Sequence, residues 1–98
     1  MEITNGNYVE FLKNWFASRT QNDANFSMRA FARHLEIDIG ILSRVLSGKR
    51  HPSLKSAYQI AKKLDLPEEE ARKFVLSVLE ARNRTSLERI YTPPSVNP

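Results

Sequence analysis

Two short apolar stripes, each at helical spacing, stand either side of a joint that spans only Glu36–Asp38. In "FSMRAFARHLEI" the stripe is Phe31, Ala32 and Leu35; in "IDIGILSRVLSGK" it is Ile41, Leu42, Val45 and Leu46. Residues three and four apart share one face of a helix, so both stretches are expected to be helical. Ser27 is placed to cap the first, with Phe26 as a hydrophobic staple. Asp38 is placed to cap the second, and Gly48 supplies the left-handed residue that ends it. A joint this short forces the two helices into contact, and no other feature limits the fold as much.

The remaining segments carry the same periodicity, and none alternates like a strand. Tyr8, Phe11, Leu12, Trp15 and Phe16 form one face behind a possible Asn7 cap with Glu10 three residues on. Regular spacing favours a core face there over an aromatic platform for bases. Residues 18–25, "SRTQNDAN", read as a polar linker. After Pro52, Ser53 is expected to cap a helix through Leu64 buried by Leu54, Ala57, Tyr58, Ile60, Ala61 and Leu64. Pro67 and Glu68–Glu70 suit the start of a fifth helix facing inward with Phe74, Val75, Val78 and Leu79. Thr85 and Ser86 are expected to cap a short turn holding Leu87, Ile90 and Tyr91, and the prolines after Thr92 to begin a flexible tail. The expectation is an all-α, compact five-helix domain over residues 1–84, with a partly flexible extension over 85–98. A chain of 98 residues has room for one modest core.

The interval Met28–Ser47 also meets the demands of a helix-turn-helix. Ala32 is the small residue over which a second helix can cross, Ile37 can plug the angle after the turn, and Leu42 and Val45 can anchor the second helix. That second helix then stands out from the body, narrow enough for a major groove.

The run "LSRVLSGKR", then "PSL", then "IAKKL", in that order and spacing, resembles the Cro/C1 (Xre, phage-repressor-like) class of helix-turn-helix domains. The resemblance covers about 41 residues, "FSMRAFARHLEIDIGILSRVLSGKRHPSLKSAYQIAKKLDL". The N-terminal "YVEFLK" before "FSMRAFARHL" is also similar to a group of uncharacterised bacterial regulators with an aromatic first helix. The resemblance implies that Met28–Leu35 supports and Ile39–Leu46 recognises. It implies base contacts from Ile39, Gly40, Ser43 and Arg44. It implies phosphate contacts from Ser27, Met28 and Arg29 and from Lys49, Arg50 and His51. His51 has a second reading, as the residue that orders the turn before Pro52. Several positions depart from the class: Ile39 and Gly40 stand where Gln or Ser is frequent, Met28 where Gln is, and Glu36 where Gly is. Neither Ile39 nor Gly40 can hydrogen-bond bidentately to a base, so base reading rests chiefly on Arg44.

Charge agrees with that placement. Residues 27–63 carry eight basic side chains against two acidic, a surplus of +6, while residues 1–26 and 64–98 each sum to −1. With no cysteine and only His34 and His51, a metal site and cysteine chemistry are not expected. Three scattered glycines make no phosphate-cradling loop, and no serine has a histidine–acid partner set, so the chain is not expected to be an enzyme or to need a cofactor. No stretch approaches the roughly 20 apolar residues of a membrane span, and the residues after Met1 do not read as a signal peptide. A cytoplasmic location follows as the expectation.

The function expected is a sequence-specific double-stranded DNA-binding transcriptional regulator, acting as a homodimer. Its self-contact would come from the fifth helix with Leu87–Tyr91 or from the aromatic first helix. The rival is a protein-interaction or low-specificity DNA-binding module that keeps the scaffold. There Ile39, Gly40, Ile41 and Leu42 would form an apolar docking patch, and the C-terminal tail would engage a protein partner.

Overall fold

The computed structural model describes residues 7–90. Its elements are α1 (Tyr8–Asn22), α2 (Met28–Leu35), α3 (Ile39–Leu46), α4 (Leu54–Lys63) and α5 (Glu68–Ile90). The architecture is all-α, as expected. Tyr91 and the proline-containing tail lie outside the described residues.

α1 begins where the Asn7 side chain accepts the Val9 and Glu10 amides, both at 3.1 Å. The Tyr8 amide, which no cap reaches, donates instead to the buried Ser77 hydroxyl of α5 at 2.8 Å. An unpartnered buried amide costs about 1–3 kcal/mol, so Ser77 ties the start of α1 to α5. The aromatic face of α1 is core, as its spacing indicated. Tyr8, Phe11 and Leu12 are buried, and Tyr8 and Phe11 meet Phe74 edge to face at 5.8 and 6.0 Å. Trp15 and Phe16 stack on Phe31 of α2 at 5.3 and 5.2 Å.

Residues 18–22, expected in a linker, are the last turn of α1. No glycine or proline interrupts them, and Arg19 reaches back over the Trp15 and Phe26 rings, at 5.5 and 4.8 Å from their centroids. Such contacts contribute about 0.5–1 kcal/mol each at exposed sites, enough to hold a polar final turn.

α2 and α3 have the boundaries expected, with Ser27 and Asp38 as their caps. α4 corrects the sequence reading at two positions. Ala57, Ile60, Ala61 and Leu64 are buried, but Leu54 and Tyr58 are 40% and 39% exposed. They lie one turn apart on the side of α4 away from the core, and Lys62 extends over the Tyr58 ring at 5.5 Å. α5 corrects another: the turn expected at Thr85 and Ser86 does not form, and one helix runs through to Ile90. After Pro67 the next proline is Pro93, so nothing between them breaks the backbone ladder. Ala71, Phe74 and Val78 bury its first half, and its distal half continues past the loop that follows α3.

Candidate nucleic-acid interface

Local chemistry fixes how α3 is held. Asp38 accepts the Gly40 and Ile41 amides at 2.7 and 3.2 Å, so its carboxylate is engaged at the positive end of the helix. Ala32 is buried and small, Ile37 packs against the core in the turn, and Leu42 and Val45 are buried at 0% and 1% exposure. These are the roles the spacing assigned them. The face of α3 left to solvent carries Ser43 and Arg44, with the exposed Ser47 just after the helix.

Ile39 and Gly40 are half-buried, and Ile39 rests on the core. A Cβ at Gly40 would come within 2.9 Å of the capping oxygen of Asp38. The capping carboxylate therefore accounts for glycine at this position, and the Gly40 amide is already committed to it. Leu42, one of the four residues of the apolar docking patch, is fully buried, so that patch does not exist as expected.

The end of α3 is a paired-bond C-cap. Gly48 has φ +79, its amide donates to Val45 O at 3.1 Å, and the Lys49 amide donates to Arg44 O at 2.9 Å. The chain leaves the helix with Lys49 and Arg50 both exposed. Arg82 of α5 then donates to Pro52 O at 3.0 Å and anchors the loop from the other side. His51 lies half-buried between them, its Nδ1 2.6 Å from the Tyr8 hydroxyl and its Nε2 3.2 Å from Thr85 Oγ1. Burial pushes Tyr8 up to about 12, which keeps it a phenol at any physiological pH. The two bonds are linked through the ring tautomer: with the phenol as donor Nε2–H donates to Thr85, and with the other tautomer Thr85 donates to Nε2 and Nδ1–H to the phenol oxygen. Burial, then the Arg82 and Arg84 guanidiniums, hold His51 below its ordinary value, so the ring is kept neutral.

At the start of α2, the Ser27 hydroxyl accepts the Ala30 amide at 3.1 Å, Met28 packs against the core, and Arg29 is exposed. The two acids of the basic segment are both engaged. Asp38 is the cap, and Glu36 pairs with Lys63 at 2.5 Å. Exposed Arg29, Arg33, Arg44, Lys49, Arg50 and Lys55 are left to set the charge around α2, α3 and the following loop. The sequence reading assigned no contact to Lys55 or Arg82. Averaging charge over residues 64–98 hid Arg82, because three of the five acids of α5 cluster in its first turn, more than three turns away.

A model of the helix-turn-helix family matches residues 21–70, just over half the chain. The chain belongs to the Cro/C1-type helix-turn-helix family. This is a DNA-binding family, and the match spans α2, α3 and α4 together with the start of α5. No curated protein and no solved structure gives a significant match. Among the described residues of this helix-turn-helix protein, no helix is long and apolar enough to cross a membrane. Among the same residues, no group of three or more His, Cys, Asp or Glu side chains is placed to hold a metal ion.

Proposed function

We propose that this helix-turn-helix protein is a cytoplasmic, sequence-specific binder of double-stranded DNA that regulates transcription, with Ile39–Leu46 lying in the major groove. One observation carries the reading: the solvent face of α3, with Ser43 and Arg44, is flanked by exposed Arg29, Lys49 and Arg50, while both nearby acids are engaged within the protein. Arg44 is the base-reading side chain, and an arginine bidentate to guanine supplies about 1–3 kcal/mol of discrimination. Ser43 adds a second polar contact. Ile39 contributes apolar contact to a thymine methyl, and Gly40 allows close approach.

Lys49 and Arg50 grip phosphates on one side, and Arg29 with the first turn of α2, from Ser27 and Met28, grips on the other. His51 serves this role indirectly, by fixing the loop, since both its ring nitrogens already have partners. A domain of this size covers about one half-site, so useful affinity calls for a homodimer on a two-fold site.

The test is fluorescence anisotropy with random duplex DNA over a range of salt, comparing wild type with Lys49→Glu/Arg50→Glu. Wild type is expected to bind with steep salt dependence, and the double variant to lose about 0.9 in slope magnitude for each phosphate contact removed. No binding at low salt by a folded protein contradicts the reading. Binding that stays equal for every sequence in a subsequent selection favours the low-specificity alternative.

A further inference from the structure

We infer that the groove between the α3–α4 loop and the distal half of α5 is an additional phosphate site, which holds a backbone phosphate of the same duplex that α3 engages. The inference rests on the DNA-binding reading above and adds to it an element, α5, that the helix-turn-helix motif does not include.

The groove has a volume of about 400 Å³, far more than the roughly 30 Å³ of a water molecule. Lys49 and Arg50 line one wall, and Arg82 and Ser86 line the other. The hydrogen bond between His51 and Thr85 joins the two walls. Among the described residues, three cations line the groove and no acidic side chain does. A concave surface with one sign of charge on both walls is a receptor for an anion.

Its parts are also fixed in advance. Arg82 donates one N–H to Pro52 O, which orients the guanidinium and leaves most of its five donors for a ligand. The loop is held by the Gly48 cap and by His51 between Tyr8 and Thr85. Little freedom of the loop backbone or of Arg82 then remains to be lost on binding. Burial first, and then Arg82 and Arg84, lower the basicity of His51, in keeping with positive charge around this loop. The far wall exists only because α5 continues through Thr85 and Ser86 as a helix.

The identity of the anion follows from position. Lys49 and Arg50 come directly after the recognition helix, so an anion held between them and α5 adjoins whatever α3 holds. For duplex DNA that neighbour is a backbone phosphate. Its contact with Arg82 places α5 alongside the DNA strand.

Ser86 is the residue to change. It is exposed, lines the groove, and takes no part in the Arg82–Pro52 or His51–Thr85 bonds. Ser86→Glu and Ser86→Lys are compared with wild type by anisotropy over a salt series, with Gln21→Glu at the exposed end of α1 as the control for net charge. Circular dichroism checks the fold of each.

Ser86→Glu is expected to weaken binding roughly tenfold at low salt and to lower the slope magnitude by about 0.9, whereas Ser86→Lys strengthens binding and steepens the slope. Gln21→Glu leaves the slope unchanged. Ser86 variants that behave like Gln21→Glu, in a protein whose binding still depends on Lys49 and Arg50, overturn the groove alone. Absence of binding by the folded wild type overturns the groove together with the DNA-binding reading.

Discussion

His51 shows how one side chain settles the path of a loop. Its neutral ring bonds α1 through Tyr8 and α5 through Thr85, and a charged ring there would face Arg82 and Arg84 as well as the loss of water. Because its proton affinity is depressed in the fold, the unfolded chain binds more protons on this residue just below its ordinary pKa. Stability from His51 is therefore present in full above about pH 6.5 and is lost as pH falls through its lower folded value. The melting temperature of wild type is expected to drop between about pH 7.5 and about pH 5.5 by more than that of His51→Gln, as followed by circular dichroism. Equal drops would contradict this account of the ring. A role for His51 in ordering the turn before Pro52 was legible in the sequence, but its partners were not, since Tyr8 and Thr85 are 43 and 34 residues away. Ser77 was missed for the same reason, since its partner is the Tyr8 amide across 69 residues. Ala32, Ile37, Leu42 and Val45 were legible because their roles depend on spacing within one short segment.

At the scale of elements, α2, α3 and α4 all end in the same way. A left-handed residue closes each, Glu36 at φ 60, Gly48 at φ 79 and Asp65 at φ 58, and its own amide and the next bond back into the helix. Only one of the three is glycine. A non-glycine residue in this conformation costs roughly 1 kcal/mol, and the exposed Glu36–Lys63 pair returns a fraction of that. Glu36→Gly is accordingly expected to stabilise the fold by roughly 0.5–1 kcal/mol, and Gly48→Ala to destabilise it by about 1 kcal/mol with no steric clash to add, since nothing lies within 4 Å of the new Cβ. Chemical denaturation of both variants checks the pair, and a destabilised Glu36→Gly would refute the strain assigned to the turn. Caps of this kind are local chemistry, which is why the limits of α2 and α3 could be read to the residue. The ends of α1 and α5 could not. The last turn of α1 is polar, and residues 80–86 of α5, "EARNRTS", hold a single apolar residue, so periodicity fades there although nothing breaks the helix. Leu54 and Tyr58 failed differently: their spacing fits a buried face, but the other elements cover only part of α4.

For the molecule as a whole, the aromatic face of α1 is occupied by the core and is not free to form a dimer. α5 is the better surface. Leu76 and Leu87, each 55% exposed, are eleven residues apart, about three helical turns, and so share a stripe on the side away from the core. On the proposed homodimer, Leu87→Glu is expected to shift the protein to monomer in sedimentation velocity with its helical content intact. Retention of the dimer by that variant would remove α5 from the interface. The groove-lining Arg82 and Thr85 lie well round α5 from Leu76 and Leu87, and Asn83 borders both surfaces.

The most direct test of the central claim is the change in amide NMR shifts when random duplex DNA is added at low salt. Shifts gathered on residues 27–29, 39–44 and 48–50 are the predicted result, because non-specific binding uses the same basic face as specific binding. Shifts that leave α3 and its following loop unmoved, or that gather around Leu76 and Leu87 instead, would contradict the assignment of α3 as the DNA-facing element.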